Sequence, residues 1–444
     1  MDALGERCIG LEQEFFLVDP SGVLSNRADE FLTLCREAAK MRGRDPEDFA
    51  PECATYMVEI NMPPAYSLSE LSRTYLDSLE LALEAGRKLG LRLYPLATYP
   101  LNIKPVIRDE LHYQIQARTV GPKRFAHAGR CTGVHLHLEV AEGTIDRTAG
   151  VSYDAPKAAR EELLNLYNLA TALDAAIIAL TRSCPYYAGK TTGLATRTAH
   201  YRGHPNLAPY GLYAGFEEVG GLRPYAGSVE ELVTLQFSRY HAWLGAMDRA
   251  GVKRQLFFES GGGLLQASAW NPVRLNPLGT VELRGLDGNY PEKIWMMATL
   301  VSRAAERIRR ERLTVLPHED VRTFELVGDT LLVPGFGHLS GDLFRAAMIG
   351  GVESPRIVAY LDSIVEFARL GQEPGQEDDL EALRTDGRYW STEAEILHSF
   401  ASSSSWRLSN KRGLELVREA CDELEEQVTS LRRRDATKAG MNGY

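Results

Sequence analysis

The chain has 444 residues, 44% of them hydrophobic and 25% charged, and a formal net charge of −10. These are the proportions of a globular protein with a large core, and the length suits one large domain with additions or about three ordinary ones. The acidic balance argues against a nucleic-acid partner, which would call for a basic face, but leaves small anionic substrates open because local fields outweigh the total.

The first predicted strand is Ile9 to Val18. Strand side chains alternate between faces, so Ile9, Leu11, Phe15 and Leu17 point one way and Gly10, Glu12, Glu14 and Phe16 the other. Two like charges on one face of an apolar strand repel and resist burial, although a lone pair of this kind also fits a solvated face. Pro20-Ser21-Gly22 then turns the chain into a helix from about Ala28 to Met41. Residues 53–62 form a second strand, with Met57, Glu59 and Asn61 on one face and Val58, Ile60 and Met62 on the other; Pro63-Pro64 ends it. Ser67 or Ser69 caps a helix that runs to Leu89 and is closed by Gly90. Leu91 to Ala97 is a third strand, and residues 108–120 are helical.

Gly133 to Val140 shows the plainest alternation in the chain, with His135, His137 and Glu139 on one face. A long helix covers 158–183; its apolar part, Leu163 to Leu180, carries Asn165, Asn168 and Asp174 and reads as a core helix, not a membrane span. From Cys184 to Pro224 there is little period, and the stretch is too long for a plain connector. It is expected to work as a binding loop, with Lys190, Arg197, Arg202 and His204 as its basic residues. A helix at 229–250 leads to Ser260-Gly-Gly-Gly263, a flexible turn or a point of backbone approach to a ligand. Two short strands, around Trp270 to Leu275 and Thr280 to Leu286, precede a helix from Pro291 to about Arg312. Beyond residue 313, charged helices at 354–370, 392–402 and 410–434, separated by 372–379 and by the serines 402–405, form a helical C-terminal portion without visible chemistry. The last ten residues are expected to fray.

The six cysteines (8, 35, 53, 131, 184, 421) include no C-x-x-C and read as reduced thiols, and no charged-then-apolar leader is seen. A cytoplasmic location without membrane attachment is the expectation.

Side by side, the alternating strands give one apolar face and one that carries Glu12 and Glu14, Glu59 and Asn61, His135 and His137, and Thr280, Glu282 and Arg284. An antiparallel sheet with one covered and one open face has this signature. A merely solvated face would mix Lys, Thr, Ser and Gln, whereas this one gathers carboxylates, two imidazoles and a guanidinium. Neighbouring carboxylates would take up protons unless cations fill the space between them. Hard oxygen ligands favour Mg²⁺ or Mn²⁺ over zinc, although H-x-H alone also suits zinc hydrolases. Mg²⁺ held by a few carboxylates keeps sites for phosphate oxygens, which points to ATP, and no P-loop motif occurs.

Five stretches stand in the order found in the glutamate–cysteine ligase type 2 (carboxylate–amine ligase) family: Ile9-Gly-Leu-Glu-Gln-Glu-Phe-Phe16, Val58-Glu59, Thr132-Gly-Val-His-Leu-His137, Cys184 to Arg197, and Thr280-Val-Glu-Leu-Arg-Gly-Leu-Asp287. The chain resembles that family over about residues 7–312. The resemblance implies an α+β fold like the catalytic domain of glutamine synthetase and guanidino kinases, a curved, mostly antiparallel sheet backed by helices. With the change of character beyond residue 313, the expected division is a catalytic domain at 1–313 and a helical C-terminal portion or subdomain at 314–444. The resemblance also implies ATP-dependent joining of a carboxylate, such as the γ-carboxylate of glutamate, to an amine such as cysteine through an acyl phosphate. Carried over, Glu12, Glu14, Glu59 and Glu282 would hold two or three divalent ions, with His135 completing one site and Glu52 a further acidic ligand. Arg284 would meet the transferred phosphoryl group. Thr192 and Arg197 would face nucleotide or substrate, together with Asn61, and either Arg197 or Arg274 would clamp a substrate carboxylate. Glu14, Glu52 and His137 are candidates for deprotonating the amine.

Gln13, Lys190-Thr191 and Leu286-Asp287-Gly288 depart from the family pattern. Gln13 faces the covered side and should not touch metal; the other two could alter the acid or amine recognised. The rival readings are a metal-dependent phosphotransferase or hydrolase on the same face, and a nucleotide-binding regulator that turns nothing over. The sequence leaves the oligomeric state open, with a homodimer as the simplest assembly.

Overall fold

The computed structural model describes residues 7–371, 379–400 and 406–441. At its centre lies an antiparallel sheet built from β1 (Ile9–Val18), β2 (Phe49–Pro51), β3 (Met57–Ala65), β4 (Arg92–Tyr94), β5 (Gly133–Glu139), β8 (Val273–Asn276) and β9 (Thr280–Asp287). Their order is β2-β3-β1-β5-β9-β8, with β4 pairing the last three residues of β1 on the edge that β5 leaves free. A minute hairpin, β6 (Tyr186–Tyr187) and β7 (Lys190–Thr191), stands apart from it.

The apolar face is the core. Leu11, Phe15 and Leu17 of β1, Val58 and Ile60 of β3, Val134 and Leu136 of β5, and Val281 and Leu283 of β9 are all buried in one cluster with helices Leu68–Leu89, Lys157–Thr181 and Pro291–Glu311. Each such side chain contributes about 1.5–3 kcal/mol on leaving water. Helix Lys157–Thr181 is long and apolar enough to cross a membrane by length and composition, but 89% of its most apolar window is buried inside the protein. Gln13 sits on the covered face, as alternation requires. Its amide is satisfied there, donating to Asn289 O (3.0 Å) and accepting from Tyr75 OH (2.6 Å). Helix Leu68–Leu89 starts as its sequence dictates: Ser67 Oγ accepts from Glu70 N, and Gly90 closes it in the left-handed conformation.

Several boundaries differ from the sequence reading. The second strand begins at Met57 rather than 53, because residues 52–56 turn the chain back from the short β2. Pro63-Pro64 does not end it. The register slips between Ile9↔Ala65 and Leu11↔Met62, so the prolines form a bulge and the strand continues to Ala65; proline, lacking a donor, is tolerated at such a position. The third strand shrinks to β4, and the helix expected at 108–120 begins at Leu111. The C-terminal portion is not purely helical: Thr314–His318, Glu325–Val327 and Thr330–Pro334 form a three-stranded sheet whose apolar residues Val315, Leu331 and Val333 join the main core. Among the linkers expected there, 372–378 and 402–405 lie outside the described residues. Helix Asn410–Met441 packs on β4 and on helix Leu68–Leu89, tied by Arg92 to Asp422 and Glu425 and by Arg432 to Asp77 and Glu80.

Candidate active site

The registers of β3, β1, β5 and β9 bring the polar faces together. Glu14 stands opposite Glu59, Glu12 opposite both Asn61 and His135, and His137 opposite Glu282. His135 Nδ1 donates to Glu12 Oε2 (2.7 Å), and His137 Nε2 lies 3.1 Å from Glu12 Oε1. Ligand atoms of Glu12, Glu59 and His135, of Glu12, His137 and Glu282, and of Glu14, Glu52 and Glu59 each fall within 4.8 Å of one another. Glu52 reaches the group from the turn before β3, its Oε2 accepting from Cys53 N at 2.9 Å. The face is not washed by solvent, since Glu282 is 0% and His135 3% exposed.

In β9 two residues, Arg284 and Gly285, oppose the single residue His135, because Leu136 pairs with Leu283 and Val134 with Leu286. Such a bulge re-aims a side chain next to a site. Here Arg284 turns onto Glu282, donating through Nη1 to Oε1. The other oxygen of Glu282 accepts from Arg274 Nε (2.5 Å) and Asn276 Nδ2 (2.6 Å).

These surroundings split the carboxylates into two classes. Burial works against ionisation of Glu282, but Arg274 and Arg284 outweigh it and hold the group well below the usual carboxylate range. Glu12 is likewise held low, its burial overcome by the hydrogen bonds to His135 and His137. Glu52 goes the other way, pushed to about 8 by burial and by repulsion from Glu14. Glu59 is raised well above its ordinary value by burial and by Glu12, Glu52 and Glu14. Asn61 Oδ1 and His135 Nε2 are buried without a hydrogen-bond partner. Orphaned acceptors and carboxylates lacking a counter-charge fit one or more hard divalent cations.

The stretch from Cys184 to Pro224 roofs this face. Its π turn, Thr198–Arg202, is a form that recurs at functional sites. Arg197 lies across the backbone of Gly133, where an added Cβ would fall 2.1 Å from Nη2, and donates through Nη1 to Arg284 O (3.3 Å). Arg202 Nη1 donates to both oxygens of the buried Asp174, at 3.0 and 2.7 Å. Between roof and sheet lies a cavity of about 30 Å³, lined by Glu14, His135, Arg284, Arg197, Arg202 and Trp270 among others. Gly133→Ala is expected to dislodge Arg197 and destabilise the protein by about 1–3 kcal/mol through overpacking; a melting curve beside the wild type checks it.

Glu12, Glu14, Glu52, Glu59, His135, His137, Glu282, Arg284 and Asn61 thus share one cluster, and Arg197 overhangs it. Arg274 is locked on Glu282 and on Ala269 O (3.2 Å), whereas Arg197 lines the cavity. Thr192 does not line the cavity; its hydroxyl bonds Leu194 N and Thr196 Oγ1 within the loop. Sequence reasoning missed Trp270 and Tyr201, which both line the cavity, and the role of Gly133. The signal for Arg202 was present, since a charge at Asp174 in the most apolar helix needs a buried partner.

The sequence profile of glutamate–cysteine ligase family 2 (GCS2) matches residues 8–323. No curated protein matches the chain. A bifunctional glutathione synthetase from Pasteurella multocida has a similar structure, with a TM-score of 0.53 at 12% identity, over 95% of this chain and 52% of that one. The chain therefore spans about half the length of that protein. A glutamate–cysteine ligase from Francisella tularensis, solved with AMP, aligns over 98% of each chain at 13% identity, with a TM-score of 0.36.

Proposed function

The chain belongs to glutamate–cysteine ligase family 2, and from that premise we propose that it joins a carboxylate to an amine with ATP, by way of an acyl phosphate. One observation supports this above others: carboxylates without a counter-cation stand on the same face as a guanidinium held fixed by Glu282. Glu12, Glu14, Glu52, Glu59, Glu282 and His135 would hold Mg²⁺ or Mn²⁺, two or three ions. When bound, these ions neutralise charge on phosphate oxygens.

The chain's own residues supply position and field. Arg284, anchored through Glu282 to Arg274 and Asn276, presents a preorganised positive group to the phosphoryl oxygens as the acyl phosphate forms. In this reading Arg197 holds the acid, which we take, on the family's example, to be an amino acid such as glutamate activated at its γ-carboxylate, with cysteine or another amine as acceptor. The amine's proton passes to a carboxylate. Glu14 suits this role, because Gly133 N holds only Oε2 (2.7 Å), whereas His137 is committed to Thr280 (2.9 Å) and Glu12. The cavity is far too small for a nucleotide, so the site widens when substrates enter.

The test is a panel of acids and amines with ATP and Mg²⁺, read as ADP, phosphate and product mass. Phosphate release that requires both partners, and a hydroxamate when hydroxylamine is supplied, is the expected result. A stable phosphorylated product would mean a phosphotransferase, ATP-independent hydrolysis a hydrolase, and nucleotide binding without turnover a regulator.

A further inference from the structure

Helix Phe344–Gly350 lies beyond residue 323, where the family match ends, yet it braces the roof of the site. Met348 O accepts from Ala195 N at 2.7 Å. Ala347 O and Met348 O accept from Arg182 Nη1 at 2.9 and 3.1 Å, and Arg182 is paired with Glu393. Phe344, 2% exposed, lies with its ring centre 4.6 Å from the Arg202 guanidinium carbon and stacks on His204 at 5.3 Å.

Arg202 is therefore gripped by Asp174 through hydrogen bonds and by Phe344 through its ring face. A surface arginine keeps many rotamers, whereas one held in this way keeps few, and its planar fork is ready for an oxyanion. Arg202 lines the same cavity as Glu14, His135 and Arg284. Phe344 takes the guanidinium face and Asp174 takes Nη1, and among the described residues no hydrogen bond engages Nε or Nη2, the part of the fork left for an oxyanion.

We propose that Phe344 is a positioning residue: it fixes Arg202 at the cavity wall, where the guanidinium receives a carboxylate or phosphate oxygen of a bound substrate. This rests on the ligase reading for the identity of the reaction. On this account, the C-terminal portion takes part in substrate binding through a residue outside the family's matched region.

The full chain carrying Phe344→Leu, which keeps apolar bulk but removes the ring face, is compared with Phe344→Tyr, which keeps the ring. Steady-state kinetics, ADP binding by calorimetry and melting temperature are read on both. Phe344→Leu is expected to raise KM about tenfold, for the acid if Arg202 takes a carboxylate and for ATP, with weaker ADP binding, if it takes a phosphate. Its kcat should stay within about twofold of the wild type, and Phe344→Tyr should restore the KM. Unchanged KM values and ADP affinity in Phe344→Leu would overturn the proposal, as would a fall in kcat and melting temperature alone, or no rescue by Phe344→Tyr. If the wild type joins no acid to an amine, the ligase reading falls by itself. Binding of ADP and of simple carboxylates to wild type and Phe344→Leu then decides the role of Phe344, with equal or absent affinity counting against it.

Discussion

Glu59→Gln is expected to cut turnover by about a thousandfold or more while making the cation-free protein more stable at alkaline pH. The two effects have one cause. Glu59 is half-buried among Glu12, Glu52 and Glu14, and its carboxyl is raised well above the ordinary range by desolvation and by their repulsion. A group whose folded pKa is raised in this direction binds its proton more tightly folded than unfolded. Well below the ordinary value of 4.5 both states hold the proton, and there is no penalty. As pH rises the unfolded chain ionises first, and stability falls until the folded carboxyl ionises too. For Glu52 that window runs from about 4.5 to about 8, and the penalty is complete above it. Glutamine removes one charge from the group, so the variant should gain about 1–3 kcal/mol above pH 8. Adding Mg²⁺ should raise the wild-type melting temperature more than the variant's, because a cation stabilises the state that binds it.

Arg284→Lys is the second large expectation, with a loss in kcat of about a hundredfold to ten-thousandfold and little change in fold. Arg284 meets Glu282 through Nη1, which leaves the rest of its fork for phosphoryl oxygens. A lysine ammonium offers a single point of charge and cannot do both with the same geometry. Glu282 keeps Arg274 and Asn276 in the variant, so its buried charge stays compensated. Rapid-quench measurement of ADP formation separates this loss from substrate binding: the ADP-forming step should slow while nucleotide affinity changes by no more than a few fold.

Much of the site could be read from the sequence because strand alternation is a strict period. Once Glu12 and Glu14, Glu59, His135 and Glu282 are assigned to polar faces, pairing of four strands into one sheet brings them together. Register was not legible, and with it went the details. The bulge that places two residues of β9 opposite His135, and the bulge at Pro63-Pro64, arise from sheet twist and tertiary pairing, which no local pattern encodes. The strands at 314–334 were missed because they are short and half exposed, with Leu326 and Val327 open to solvent. From the sequence, Arg274 is a candidate clamp for a substrate carboxylate. Only its position directly across from Glu282 on the neighbouring strand shows that it is committed.

The account depends on the acidic side chains of β1 and β3 and the imidazole of β5 enclosing shared divalent ions. Binding of Mn²⁺, followed by electron paramagnetic resonance on the wild type and on Glu59→Gln, tests it most directly. The wild type should bind Mn²⁺ in competition with Mg²⁺, with nitrogen coupling from His135, and the variant should lose at least one site. Wild-type protein that leaves Mn²⁺ free in solution, or a variant that binds it with unchanged number and affinity, would contradict the account.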